Sequence, residues 1–339
     1  MDSNRHFFIY LLVAVVLLLS GCIGDTYSTG SPSTSFSGYG NGIKIQSFGF
    51  SSDKVYSGIP SVLSVEMQNL GAKDAENIYV YLYGLSRGEN EWFADDEDGV
   101  VDIGYSGAEM ASGDPRILII DSLMSPVKSI NANGESAYIS WMLTAPCDLP
   151  EKQVFKYSAG VRICYSYETT SIAKINVLDK EEYISRNRDG GLKRYPIVLS
   201  TTAGPIEVVM TTEQPMILSE EVDNLIFRAK LVDRGGGTIT MNDCTGAVDW
   251  ENNVLDLFTL HDKVTVTLGG RECDLGLREL YFKISDSAPP TADFPVTCSV
   301  PSFDDPELHL NLAIHLEYNY FIDKNAVISV EGLGEEEFE

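Results

Sequence analysis

Histidine, basic charge and recognisable catalytic motifs are all in short supply in this 339-residue chain. Of four histidines, His6 lies in the first ten residues, which leaves His261, His309 and His315 for general-base work. His309 and His315 would share a face of one strand, but His315 sits among Ala313, Ile314 and Leu316, as a packed or edge residue does. There is no Gly-x-Ser-x-Gly elbow, no Walker loop and no His-Glu-x-x-His. Gly235-Gly236-Gly237 falls between two strand-like runs and reads as a turn rather than a phosphate cradle. The expected class is therefore a non-enzyme. Only 24 Lys and Arg face 50 Asp and Glu, a net charge of −26, so a phosphate backbone is repelled and nucleic acid is excluded as a partner. No Asn-x-Ser/Thr sequon occurs, which argues against an N-glycosylated coat protein.

What is present begins at the amino terminus. Arg5 precedes an apolar run from Phe7 to Leu19, too short for a comfortable membrane span and shaped like a secretory signal. Ser20, Gly21 and Cys22 follow. The run and its cysteine resemble the lipobox of secreted lipoproteins, and Ser-Gly-Cys-Ile-Gly is similar to archaeal examples. The resemblance implies cleavage before Cys22 and a covalent lipid on its thiol, with the membrane lipid as partner and the body on the extracellular face. Two lipid chains on one thiol would supply the two signals that stable anchoring needs. An uncleaved anchor over Phe7–Ile23 is the alternative and leaves the body on the same side. Residues 1–21 are thus read as signal peptide and 22–42, rich in Ser, Thr and Gly, as a flexible tether.

Outside the cell the remaining cysteines, Cys147, Cys164, Cys244, Cys273 and Cys298, become disulfide candidates. Cys147 could bridge to Cys164, and Cys244 to Cys273 or Cys298, with one thiol left over. None has Cys-x-x-Cys spacing and no histidine completes a zinc pattern.

From Ile43 onward the chain alternates apolar and polar residues, as in Ile43-Lys44-Ile45-Gln46 and Val62-Leu63-Ser64-Val65-Glu66-Met67, which predicts strands. Asn69-Leu70-Gly71 makes a turn before the strand Ile78–Tyr83. The sequence of strand, Asn-x-Gly turn and strand resembles immunoglobulin-like modules of the CARDB type. The fold class expected is all-β, with two tandem immunoglobulin-like β-sandwiches over 43–178 and 197–333 and an acidic tail at 334–339. Between them, 179–196 carries Asp179 and Glu182 as a capping box, Arg186 four residues on, and Gly190-Gly191 as a stop, hence a short helix and connector.

A repeated motif points to an internal duplication. Tyr165-Ser166-Tyr167 and Tyr318-Asn319-Tyr320 recur at a spacing of about 150 residues, and each pair is expected to turn one ring to the core. Asp95-Asp96-Glu97-Asp98-Gly99 partly resembles a calcium loop, but Ala94 and Tyr105 occupy two ligand positions. Asp95, Asp96 and Asp98 are weak candidates for calcium, and no other cofactor is expected. Together these features predict a lipid-anchored extracellular protein acting as a non-catalytic binding or adhesion module toward a surface protein or glycan. The alternatives are a structural or accessory subunit of a surface assembly and, further off, a metal-dependent hydrolase.

Overall fold

Alternating burial follows alternating sequence in several strands. In the strand Pro60–Asn69, Leu63, Val65 and Met67 are fully buried while Glu66 is exposed, so one face packs and the other is wet. The computed structural model describes residues 42–333 apart from 86–91, 93–107, 111–115, 128–132, 148, 219–223, 241–243, 247–257, 260–262, 277–278, 281, 286–287, 301–302 and 304. Cys22, His261 and the loop with Asp95, Asp96 and Asp98 lie outside the described residues.

The protein is all-β. Its first half holds β1 (Ile43–Phe50), β2 (Lys54–Tyr56), β3 (Pro60–Asn69), β4 (Ala75–Tyr83), β5 (Ala108–Met110), β6 (Ile117–Leu123), β7 (Ser136–Thr144) and β8 (Val154–Asp179). After helix α1 (Lys180–Arg188) come β9 (Tyr195–Pro196), β10 (Ser200–Thr201), β11 (Ile206–Met210), β12 (Glu213–Gln214), β13 (Met216–Leu218), β14 (Asn224–Asp233) and β15 (Thr238–Thr240). The second half closes with β16 (Phe258–Thr259), β17 (Val264–Leu268), β18 (Arg271–Glu272), β19 (Glu279–Leu280), β20 (Lys283–Ser285), β21 (Ala288–Ser299) and β22 (Glu307–Glu331).

The helix forms where the capping pattern predicts it. The Asp179 carboxylate accepts from Glu181 N at 2.9 Å, Arg186 pairs with Glu182 at 2.5 Å, and Gly190 takes φ +67° at the end. No residue of α1 is buried; Arg186 Nη2 reaches Glu307 of β22 at 2.7 Å and ties the helix down.

Two small sheets, β1-β3-β7 and β11-β14-β21-β20, belong to the two halves, and an 11-stranded sheet serves both. Its centre is one antiparallel ladder in which β8 and β22 pair from Val154 opposite Glu331 to Leu178 opposite Glu307. Each long strand borrows a short parallel strand at its far end: β13 beside Val177–Asp179 of β8, and β2 beside Ser329–Glu331 of β22. β8 takes in three strand-like runs, Val154–Tyr157, Gly160–Tyr167 and Ala173–Val177, as one strand. The last two run together because Glu168-Thr169-Thr170-Ser171-Ile172 between them holds no Gly, Pro or Asn to break the run, and Ser158-Ala159-Gly160 is kept in the ladder by pairing with Val327, Ala326 and Asn325.

The two Tyr-x-Tyr pairs lie opposite each other on this ladder, Tyr165 against Tyr320 and Tyr167 against Tyr318. Residues two apart on a strand share a face, so all four rings turn inward rather than one from each pair. Their centroids lie 6.0 Å apart for Tyr165–Tyr320 and 6.1 Å for Tyr167–Tyr318. The hydroxyls reach beyond the ladder: Tyr165 accepts from Ile43 N of β1 at 3.2 Å, and Tyr167 donates to Ala203 O, in the loop between β10 and β11, at 2.9 Å. Burial without loss of hydrogen bonds is what lets a tyrosine cluster act as core.

The disulfides differ from the pairings the sequence suggested. Cys164 joins Cys244, and Cys273 joins Cys298. Cys147 is exposed and unpaired. It lies in the loop after β7, where its carbonyl accepts from Ser57 Oγ at 2.6 Å. Cys164 faces the other way, into a satellite cluster with Tyr81 and Cys244 against which Phe321 packs. With Cys244 used there, Cys273 beside β18 is left to join Cys298 of β21, which straps the shared sheet to the small one.

A candidate polar cleft on the shared ladder

With Tyr165, Tyr167, Thr169 and Ser171 turned inward, β8 presents Ser166, Glu168 and Thr170 outward, and β22 presents His315, Glu317 and Asn319. These six line up across the ladder as Ser166–Asn319, Glu168–Glu317 and Thr170–His315. Over the middle of this row opens a cleft of about 530 Å³, walled by Lys73, Asp74 and Glu76 on one side and Lys263 on the other. It opens where the flanking strands are interrupted: β4 shifts register between Glu76 and Tyr79, and β15 and β17 leave a gap beside β22.

Two glutamates directly opposite each other repel. Here a lysine and a histidine stand beside them. Lys73 Nζ pairs with Glu168, and His315 Nε2 lies 3.1 Å from Glu317 Oε1 and 3.8 Å from Glu168 Oε2. All of these side chains are more than a third exposed, so the pairs contribute at most about 1 kcal/mol each. Ser166 Oγ donates to Asn319 Oδ1 at 2.8 Å, and Asp74 Oδ1 accepts from Ser125 N at 2.7 Å.

Thr170 Oγ1, His315 and Glu317 stand in the order of nucleophile, base and orienter, with Thr170 Oγ1 3.3 Å from His315 Nδ1. The backbone N–H groups of this row reach beyond the two strands: Thr170 N donates to Thr202 Oγ1 at 3.0 Å and Glu317 N to Lys263 O at 2.8 Å. The chemistry on offer is hydrogen bonding and charge of both signs held on rigid strands. Among the described residues no group of three His, Cys, Asp or Glu is placed to hold a metal ion. His309 shares the outward face of β22, 3.6 Å from Glu307 and far more exposed than His315.

Glu168, Glu317 and Lys73 were not singled out by sequence. The signal that could have found the two glutamates is a run of polar residues at every second position in strands whose other face is apolar, aromatic or small hydroxyl; Lys73 lies in a turn and has no such signal. Comparison with protein families and with curated proteins gives no match. Among the described residues no helix is long and apolar enough to cross a membrane.

Proposed function

We propose that this protein is a lipoprotein of the extracellular membrane face, attached through Cys22, whose body binds a surface protein or glycan without catalysing a reaction. The observation that carries the binding half of this reading is the cleft, where donors and acceptors of both signs sit on a paired ladder instead of a loop. Rigid placement lowers the ordering cost of recognition. The anchoring half rests on the run from Phe7 to Cys22, and the Cys164–Cys244 and Cys273–Cys298 bridges support an oxidising compartment. In this reading the halves are CARDB-like, immunoglobulin-like sandwiches that share their inner sheet.

Cys22→Ser is expected to move the protein out of the membrane fraction or leave its precursor uncut; if neither happens, the anchoring reading fails. Pull-down from surface extracts should recover a partner that Glu317→Lys releases. A partner retained equally by that variant would place binding elsewhere. The second reading, a subunit of a surface assembly, is favoured by the exposed thiol of Cys147, and a reductant-insensitive monomer in size-exclusion chromatography would count against it.

A further inference from the structure

Asn69 ends β3 and Asp233 ends β14, and the turns they begin are built alike. Asn69 Oδ1 accepts from Gly71 N at 3.0 Å; Asp233 Oδ1 accepts from Gly235 N at 3.0 Å. Behind each turn a ladder tyrosine takes the next free N–H, Tyr167 from Lys73 at 3.1 Å and Tyr320 from Gly237 at 2.7 Å. The end groups differ. Asn69 Nδ2 donates to Lys73 O at 2.9 Å and Leu123 O at 2.8 Å, so a neutral amide is satisfied on both sides. Asp233 has a carboxyl in that place, 5% exposed, which receives Tyr320 OH at 2.6 Å.

No cation compensates it among the described residues. The adjacent Arg234 turns away to Glu207 of β11 at 2.8 Å. The titratable groups facing it are Tyr320 from β22 and Tyr165 from β8, and β21 places Thr291 opposite the neighbouring Val232. An ionised carboxylate there is held by two neutral donors against the cost of burial.

We propose that Asp233 is a pH-sensitive clamp: by taking a proton from solvent in mild acid it tightens the joint between β14 and ladder strand β22, while the matching joint at Asn69 does not respond. Burial is the dominant influence and raises the Asp233 carboxyl from 3.8 to about 6, outweighing the Tyr320 and Gly235 hydrogen bonds that lower it. A raised carboxyl means that the folded protein binds the proton more tightly than the unfolded chain. The resulting penalty is absent below 3.8, grows as pH rises toward about 6, and is full above it.

The molecule carries its own control, because Gly71 and Lys73 amides report the first joint and Gly235 and Gly237 the second. Hydrogen exchange on the whole protein, corrected for intrinsic rates, should show protection at Gly235 and Gly237 rising about tenfold from pH 7.5 to pH 5. Protection at Gly71 and Lys73 should stay level; equal change at both joints, or none at the second, overturns the proposal. Asp233→Asn should abolish the response, and a variant that responds like the parent would count against it. Should that variant fail to fold, carboxyl carbon NMR of the parent protein decides, with a titration midpoint near 6 expected and one below 5 contrary.

Discussion

The two halves of this protein lay similar strands against one ladder and then diverge in how they close around it. In the first half a single strand, β4, runs along β8 from Glu76 to Tyr83, with a register shift where Asn77 takes φ +50°. In the second half the same role beside β22 is divided between β15 and β17. The first half ends β3 on a neutral Asn69; the second ends β14 on a buried Asp233. The second half also holds Cys273–Cys298, and among the described residues no cystine lies wholly within the first. Backbone pairing is shared because the ladder demands it, whereas turn chemistry and staples are local and free to differ.

The largest effect should come from the cystine that joins the halves. Cys164→Ala with Cys244→Ala opens a loop of 80 residues and should cost about 4 kcal/mol in urea unfolding. Cys273→Ala with Cys298→Ala opens only 25 and should cost about 3 kcal/mol; a reversed order would mean that local packing, not chain entropy, sets the difference. Next comes the exchange of end groups in the direction opposite to Asp233→Asn. Asn69→Asp presses a carboxylate against Lys73 O and Leu123 O, and should cost about 3 kcal/mol at neutral pH, less in acid. Equal tolerance of both exchanges would erase the distinction between the joints. Smallest is Gly235→Ala, whose added carbon falls 2.5 Å from Tyr320 Oη; chemical denaturation should show a loss of about 2 kcal/mol through overpacking.

Much of the strand pattern was legible because it is local. Leu63, Val65 and Met67 alternate with Ser64 and Glu66 and need no distant information, and the Asp179 cap announces α1 within four residues. The Tyr-x-Tyr repeat pointed to a correspondence between halves, but not to the two copies facing each other, because strand pairing across the chain has no local signature. The cystine partners were hidden for the same reason: Cys164 and Cys147 are close in sequence yet point into different surroundings. The cleft was least legible of all, since Glu168 and Glu317 become a site only when the ladder sets them opposite each other.

The ladder also sets the order of events during synthesis. β22, which completes the flank of β8 and supplies the neighbour of β2, is made long after β8, so the first half cannot finish folding until that strand has arrived. Until then β8 offers an open edge of up to 26 residues, a template for mispairing. Contacts this distant in sequence slow folding. A nascent chain halted before Glu307 therefore leaves the whole β22-facing edge of β8 unsealed.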